Sequence, residues 1–474
     1  MSIPQPDSMT PVERRAAFSI AGIFSTRMLG LFMIFPVFAL FAEKEFENIT
    51  GTQIGIAIGV YGLTQALLQV PFGMLSDKFG RKPLIMVGMI IFMIGSLICA
   101  VADSIEMMII GRALQGMGAV AAVLMASVAD LVREQYRLRA MSIVGMTIGL
   151  SFTLSLVAGP LLDAWIGVRG IFWVIAGLSI LGMVLVWFAL PKIENQSFQR
   201  EAQTDVTQFS DVLKHPQLLR LDLGVFVLHA ILTAMFVVMP LILRDSAELP
   251  SVEHWYIYLP VMLLSFVLMV PFIIQAESKG RMKPVFLGAI AAIMLMQLAF
   301  IGVDLNFWSL FVLLLIFFTA FNLLEASLPS LVVKLSPADK KGTASGVYST
   351  SQFIGAAIGG ALGGYLYQHY GYNGVFALTA ILGMVWLLAA SSMEKPMPLS
   401  IASVPLGHVE CDEIEALEKR LLEFDGIYEA VILVEENRAY FKIDRKKLDE
   451  VTLIDYIEKS NESLVRREGQ LCEA

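Results

Sequence analysis

GMLSDKFGRK, Gly73 to Lys82, stands between two long apolar segments and gathers three cations, Lys78, Arg81 and Lys82, one acid, Asp77, and two glycines, Gly73 and Gly80. A solvated loop between helices has this composition too. The pattern returns, however: VPFGMLSDKFGRKP, Val70 to Pro83, is echoed 200 residues on by VPFIIQAESKGRMKP, Val270 to Pro284. Val, Pro, Phe, Gly and Arg recur in register, and Glu277 takes the place of Asp77. A repeat of this length inside apolar sequence signals a membrane protein built from two related halves.

Composition agrees. At 57% hydrophobic and 16% charged residues over 474 positions, the chain is too apolar for an ordinary soluble protein. A spanning helix needs about 20 apolar residues. Twelve such segments are legible, roughly 17–42, 51–75, 84–102, 105–133, 138–163, 168–190, 219–243, 252–276, 284–303, 307–335, 340–368 and 373–393. The first is too long for a signal-peptide core and is expected to remain as a span. Cys99, Cys411 and Cys472 make neither a disulfide framework nor a zinc spacing, so no metal or other cofactor is expected. The net charge of −8 argues against a nucleic-acid partner.

Orientation follows from the cations. With the N-terminus inside, the inner loops hold 16 Lys and Arg residues, among them Arg133, Arg137, Arg139, Lys214, Arg220, Lys279, Arg281, Lys283, Lys334, Lys340 and Lys341. The outer loops hold only Lys44, Arg169 and Arg244. The positive-inside rule then places both termini in the cytoplasm of a multi-pass protein, the bacterial inner membrane being the expected location.

Within the spans, polar residues mark candidate sites. Arg27 lies about ten residues into the first span, roughly 15 Å along a helix, where an unpaired charge costs on the order of 2.5 kcal/mol or more. Tyr61, Gln65 and Gln69 are spaced four apart and form one polar face, for a cavity or for a neighbouring helix. The fourth span opens with GRALQGMGA, which sets Arg112, Gln115 and Gly118 on adjacent turns while Gly116 permits a close helix approach; Asp130 stands at its inner end. The fifth ends in AGPLLD, where Gly159 and Pro160 are expected to interrupt the helix, as a bending or a packing point. His229 falls in the seventh span, Glu325 with Asn322 in the tenth. An intramembrane glutamate is a functional candidate by default, whereas a lone helical histidine is as readily a packing residue. Phe32, Phe35, Phe236 and Phe321 are candidate cavity walls. The glycine run Gly355 to Gly364 follows no strand, so it serves helix contact and not a phosphate.

GMLSDKFGRK resembles the signature between helices two and three of the major facilitator superfamily. RALQGMGA resembles its fourth-helix motif, and AGPLLD, with Asp163 where glycine is usual, the end of the fifth-helix motif of its antiporters. The first span, TRMLGLFMIFPVFAL, together with a tail domain, is similar to YajR-like members of the twelve-helix drug:proton antiporter family. The resemblance covers about residues 12–393. It implies an all-α membrane fold of twelve helices in two six-helix halves, with helices one, four, seven and ten around the central cavity. Arg27, Arg112, His229 and Glu325 then each come from one of these helices, at different depths. It further implies that Asp77 meets the N-terminus of helix eleven near Lys341 while Arg81 pairs with Asp130, a latch that forms when the inner ends of the halves meet.

The expected organisation is a half at 1–190, a linker at 191–218 that is either plain or holds a short amphipathic helix on Phe209, Val212 and Leu213, a second half at 219–393, a linker at 394–405 and a soluble domain at 406–474. In the last, Asp412 to Phe424 reads as a helix, YEAVILV and RAYFKID as strands, and Leu453 to Glu458 as a second helix before a strand near Leu464. That order suits a small ferredoxin-like α+β domain. Only Cys411 stands near a metal-carrying position of such domains, so regulation or self-association is the preferred role. There is no ATPase or other enzyme motif. The reading is a secondary transporter of a small-molecule solute with protons as the drive, in efflux of amphipathic compounds, with a metabolite symporter or a transporter-like sensor as alternatives.

Overall fold

The computed structural model describes residues 8–191, 209–277, 279–337, 341–394, 400–405, 414–433 and 438–443. The chain forms two compact units, the larger holding the apolar helices to Glu394 and the smaller running from Lys395 with 334–341. Nine helical stretches among the described residues are long and apolar enough to cross a membrane.

The larger unit begins with α1 (Pro11–Phe32) and α2 (Phe38–Glu45), followed by α3 (Gly51–Phe79), α4 (Arg81–Ala100), α5 (Ile105–Met117) and α6 (Ala121–Leu131). The long α7 (Glu134–Val184) ends in a π-helical turn, Leu185–Ala189. After α8 (Phe209–Lys214), at the expected amphipathic helix, come α9 (Pro216–Asp245), α10 (Trp255–Glu277), α11 (Met282–Gly302), α12 (Phe307–Leu335) and α13 (Lys341–Ser391). At about 1.5 Å per residue, the 51 residues of α7 or of α13 would be more than twice as long as a hydrocarbon core is thick. Each therefore turns at a glycine in the left-handed region, Gly167 (φ 69°) and Gly371 (φ 63°).

The sequence repeat is visible as geometry. Gly80 (φ 93°) joins α3 to α4, and Gly280 (φ 63°) stands 200 residues later between α10 and α11. Lys82 donates to the Leu190 carbonyl, and Lys283 to that of Met393, both at 2.5 Å. The GMLSDKFGRK stretch is not a loop, as its charge suggests. Helix α3 runs through to Phe79, and Gly80 alone makes the turn, because its φ is one that side-chain-bearing residues rarely adopt.

Three other boundaries differ from expectation. The first span breaks at 33–37, where Pro36 lacks an N–H and disfavours helix in the residue before it. The fourth breaks between Met117 and Ala121. Gly159 and Pro160 do not interrupt α7, which turns only at Gly167. Gly159 instead supplies room, since a Cβ there would lie 2.8 Å from the Pro36 ring.

Close packing by small residues joins the halves. Gly59 and Gly62 of α3 would each carry a Cβ 2.6 Å from a carbonyl of α13, those of Ala357 and Phe353, and Gly360 of α13 would carry one 2.7 Å from that of Gly55. On another face of α13, Gly355, Gly359 and Gly363 meet Phe226, Ala230 and Ala234 of α9 in turn, so these two helices run parallel, backbone against backbone.

At the start of α1, Thr10 and Glu13 form a capping box, and Glu13 also takes the Arg133 guanidinium at 2.7 and 3.0 Å. The bond from Arg133 holds the Glu13 carboxyl down at about 2. Its folded value is thus below the unfolded one, about 4.3. Its stabilisation is complete above the unfolded value and disappears as pH falls toward about 2. Thermal melts of the wild type and Glu13→Gln should differ by a constant amount at neutral pH and converge in acid. A gap that persists at the acid end would mean that the ion pair contributes nothing.

In the smaller unit, β1 (Ser400–Pro405), β2 (Ile427–Leu433) and β3 (Arg438–Ile443) form an antiparallel sheet in the order β1-β3-β2, with α14 (Ile414–Leu421) between β1 and β2 in the chain. Ala439, Phe441 and Ile443 alternate into its core, and the Ile432 N–H donates to Glu418 of α14 at 2.9 Å. Strand β1 occupies part of the stretch expected as linker, so the domain begins by Ser400 and not at residue 406. Cys411 and everything expected after Ile443 lie outside the described residues.

Candidate functional site

Each half carries its own polar cluster. In the first, Arg27 of α1 is 1% exposed and donates through Nη2 to the Tyr61 hydroxyl and the Gln65 carbonyl oxygen, both at 2.9 Å. Its guanidinium also stands 5.4 Å from the Phe92 ring. Arg112 of α5, fully buried, donates to Gln115 at 2.7 Å and lies 5.2 Å from the Tyr61 ring, while Gln115 donates to Ser96. Neither arginine pairs with a carboxylate among the described residues, so aromatic faces and neutral oxygens carry the charges. Gly116 lets α5 approach the Tyr61 backbone, as its position in the motif suggests. The expected stripe on α3 divides: Tyr61 and Gln65 serve Arg27, whereas Gln69 donates across to Thr350 of α13 at 2.6 Å.

In the second half, His229 of α9 and Glu325 of α12 come together, Nε2 to Oε2, at 3.7 Å. Gln352 of α13 completes the cluster, its amide nitrogen 2.8 Å from the same His229 Nε2. Because His229 Nδ1 faces the Val225 carbonyl at 3.1 Å and a carbonyl only accepts, Nδ1 carries a proton. Glu325 Oε2 has no hydrogen-bond partner among the described residues. Asn322 turns elsewhere and donates to Ser265 of α10 at 2.9 Å, so it ties α12 to α10 and stays outside the carboxylate cluster. Gln352 escaped the sequence reading because it sits in the glycine-rich span, where the small residues dominate the pattern.

An aromatic cluster lies against these polar groups and links both halves. Phe32 contacts Phe35 and Phe152, Phe35 stands 5.4 Å from Phe236, and Phe152 meets Phe318 and Phe321. Phe321 in turn lies 6.1 Å from the His229 ring. The four phenylalanines named from the sequence are joined here; Phe152 and Phe318 are additions that a span already rich in aromatics does not single out.

The two ends of the bundle differ. At the end bearing Glu43, contacts cross between halves: Arg244 of α9 reaches Glu43 of α2 at 2.9 Å, Ser251 donates to Asp163 of α7, and Gln368 of α13 accepts from Thr52. Asp163, the departure from the fifth-helix motif, thus makes a contact across the halves. The Arg244 and Glu43 side chains are 43% and 28% exposed, so the pair contributes about 0.2–1 kcal/mol. Arg244→Gln should shift the population toward opening at this end by up to roughly fivefold. Spin labels at positions 47 and 370 would report it; an unchanged distance distribution would deny the pair any part in closure.

At the opposite end, Arg81 is an ion-pair hub, reaching Asp130 at 2.8 Å and pairing with Asp77, with a further bond to Ser76 at 2.6 Å. The expected Arg81–Asp130 pair is present, but it lies wholly within the first half. It therefore does not depend on the two halves meeting. Gly80 makes the turn described above, whereas Gly73 is an ordinary helical residue whose Cβ would lie 3.9 Å from Ala122.

A family model of the Major Facilitator Superfamily matches residues 20–360 and 306–420, and one of the YajR YAM domain matches residues 409–457. The chain is 46% identical over 439 residues to the inner membrane transport protein YajR of Escherichia coli K12, covering 92% of this chain and 96% of that one. It is 25% identical to the multidrug resistance protein MdtH of Proteus mirabilis, over 72% and 84% of the two chains. Among solved structures, a bacterial homologue of the human lysosomal transporter Spinster superposes with a TM-score of 0.66 at 14% identity, over 81% of this chain and 98% of that one.

Proposed function

The chain belongs to the Major Facilitator Superfamily and is a multi-pass membrane transporter, and from that premise we propose that it exports amphipathic solutes in exchange for protons by alternating access. The observation that carries the reading is Glu325, a carboxylate inside a span with no hydrogen-bond donor on Oε2, set against His229 and the aromatic cluster that joins the halves. An acid inside a span, where α9, α12 and α13 meet, is a functional candidate of the kind that relays protons in transporters. The aromatic walls suit a flat apolar solute. The name of the MdtH relative, multidrug resistance, favours export of such compounds over metabolite uptake.

Leaving aside the six-residue α8, reading α1 with α2 as one span, α5 with α6 as another, and each of α7 and α13 as two gives twelve, with the Arg81 end in the cytoplasm by its cations. The β1-α14-β2-β3 order with β3 central is the start of a ferredoxin-like domain, for which regulation or self-association is the proposed role. Light scattering of the protein cut after Lys395 reads self-association directly.

Transport is tested in proteoliposomes by counterflow of a lipophilic dye such as ethidium, with a trapped pH indicator. Exchange accompanied by opposite proton movement is expected. Proton movement in the same direction as the solute would make the protein a symporter, and no counterflow of any compound in a solute panel would favour a sensor.

A further inference from the structure

Among the buried oxygens with no hydrogen-bond partner are Asp222 Oδ2 on α9, Tyr348 Oη on α13 and Glu325 Oε2 on α12. Buried polar atoms left unsatisfied are uncommon, and these three, on helices that meet around His229, call for a physical reason. The helix register brings them into sequence. Helices α9 and α13 run parallel with Phe226 against Gly355 and Ala230 against Gly359, a constant offset that sets Tyr348 within one turn of the level of Asp222. Tyr348 and Gln352 share a face of α13 at the i, i+4 spacing, and Gln352 bonds His229. Asp222 and His229 share a face of α9 two turns apart, about 10 Å.

Asp222 is 7% exposed and lies in the second turn of α9, at the end of the bundle that also carries Lys214 and Arg220. The charged group nearest in its own helix, Arg220, is two residues away and so on a different face. On the register of the glycine contacts, Tyr348 of α13 stands within one turn of Asp222, and one turn further lie Gln352 and its partner His229, which meets Glu325 of α12. No ion pair holds Asp222 as an anion among the described residues.

We propose that Asp222 is the proton-loading carboxylate of the transporter, passing protons between the Arg81 end and Glu325 by way of the Tyr348 hydroxyl. The step balances. A proton from water neutralises the Asp222 carboxylate; when helix motion brings Tyr348 Oη, unbonded in this state, within hydrogen-bond reach of both acids, the proton moves to its lone pair as the phenol's own proton passes to Glu325. Asp222 returns to the anion, Tyr348 is unchanged and Glu325 becomes the neutral acid. Tyr348, which can both accept and donate, is a positioning and relay group whose backbone is fixed by the glycine contacts of α13.

The proposal rests on Glu325 as the coupling carboxylate, and the experiment separates the two. Full-length protein in lipid is acid-jumped and followed by infrared difference spectroscopy in the carbonyl region of protonated carboxyl groups, which needs no solute. The wild type should show two buried carboxyl bands, one lost in Asp222→Asn and the other in Glu325→Gln. In Asp222→Asn the Glu325 band should appear more slowly by on the order of 100-fold, the lower range of what a positioned acid or base contributes. Tyr348→Phe should keep both bands and slow the second, and Asp222→Glu should restore the rate. If Asp222→Asn leaves the Glu325 band with wild-type rate and pH dependence, Asp222 is a structural residue and the proposal fails. If Glu325→Gln removes no band while Asp222→Asn does, the coupling reading of Glu325 fails instead.

Discussion

Glu325→Gln should abolish solute accumulation driven by a pH gradient while leaving counterflow in place. A glutamine is close to the protonated glutamate in shape and charge, so the halves can still rock and the solute can still exchange. What disappears is the difference between loaded and unloaded states. One proton moving across one pH unit supplies about 1.4 kcal/mol, enough for a tenfold solute gradient in a one-for-one exchange. Wild-type vesicles should therefore hold roughly a tenfold gradient per pH unit and Glu325→Gln vesicles none. A ratio that still follows the pH gradient in the variant would move the coupling site elsewhere. The position of His229 sharpens the expectation. Its Nδ1–H is directed to the Val225 carbonyl while its Nε2 faces both Gln352 and Glu325, so a change of charge on the carboxylate is felt at the meeting of α9, α12 and α13.

Much of the bundle was legible because its signals are local. Apolar length marks a span, and the repeat around Asp77 and Glu277 marks the two halves; both survive in the paired glycine turns Gly80 and Gly280. The breaks were less legible because they depend on neighbours. Pro36 ends a helix, whereas Pro160 rides inside one, and Gly159 beside it gives the Met33–Val37 break a place to pass. The site was half legible. His229 and Glu325 are conspicuous as polar residues in apolar sequence, but that α9, α12 and α13 bring them to Gln352 and Tyr348 is a matter of helix register, which one sequence does not contain. Asp222 was hidden by its position near a span end, where an acid reads as interfacial.

Arg81→Ala should produce the largest loss of stability among single substitutions in the first half. Arg81 is 5% exposed and its partner Asp130 3%, so truncation strands a carboxylate that has no water to replace the guanidinium. Removing one member of a buried pair typically costs 3–5 kcal/mol, chiefly through the charge left behind. Asp77, at 31% exposure, loses less because solvent reaches it. A loss of about 3 kcal/mol corresponds to a melting temperature lower by roughly 4 °C for a unit of this size, at about 2 cal/mol/K of unfolding entropy per residue. Arg81→Lys should recover part of this, since a lysine reaches one carboxylate but lacks the fork that holds Asp130, Asp77 and Ser76 together. Asp77→Asn should melt close to the wild type, and it isolates the conformational question that Arg81→Ala confounds with stability. If Asp77 bridges to the second half when the Arg81 end closes, its neutralisation should shift spin-label distances between the adjacent ends of α3 and α13 toward the open state. Equal melting temperatures for the wild type and Arg81→Ala would show that the hub does not hold the α3–α4 turn to α6. An unchanged distance distribution in Asp77→Asn would leave this acid as a partner of Arg81 alone.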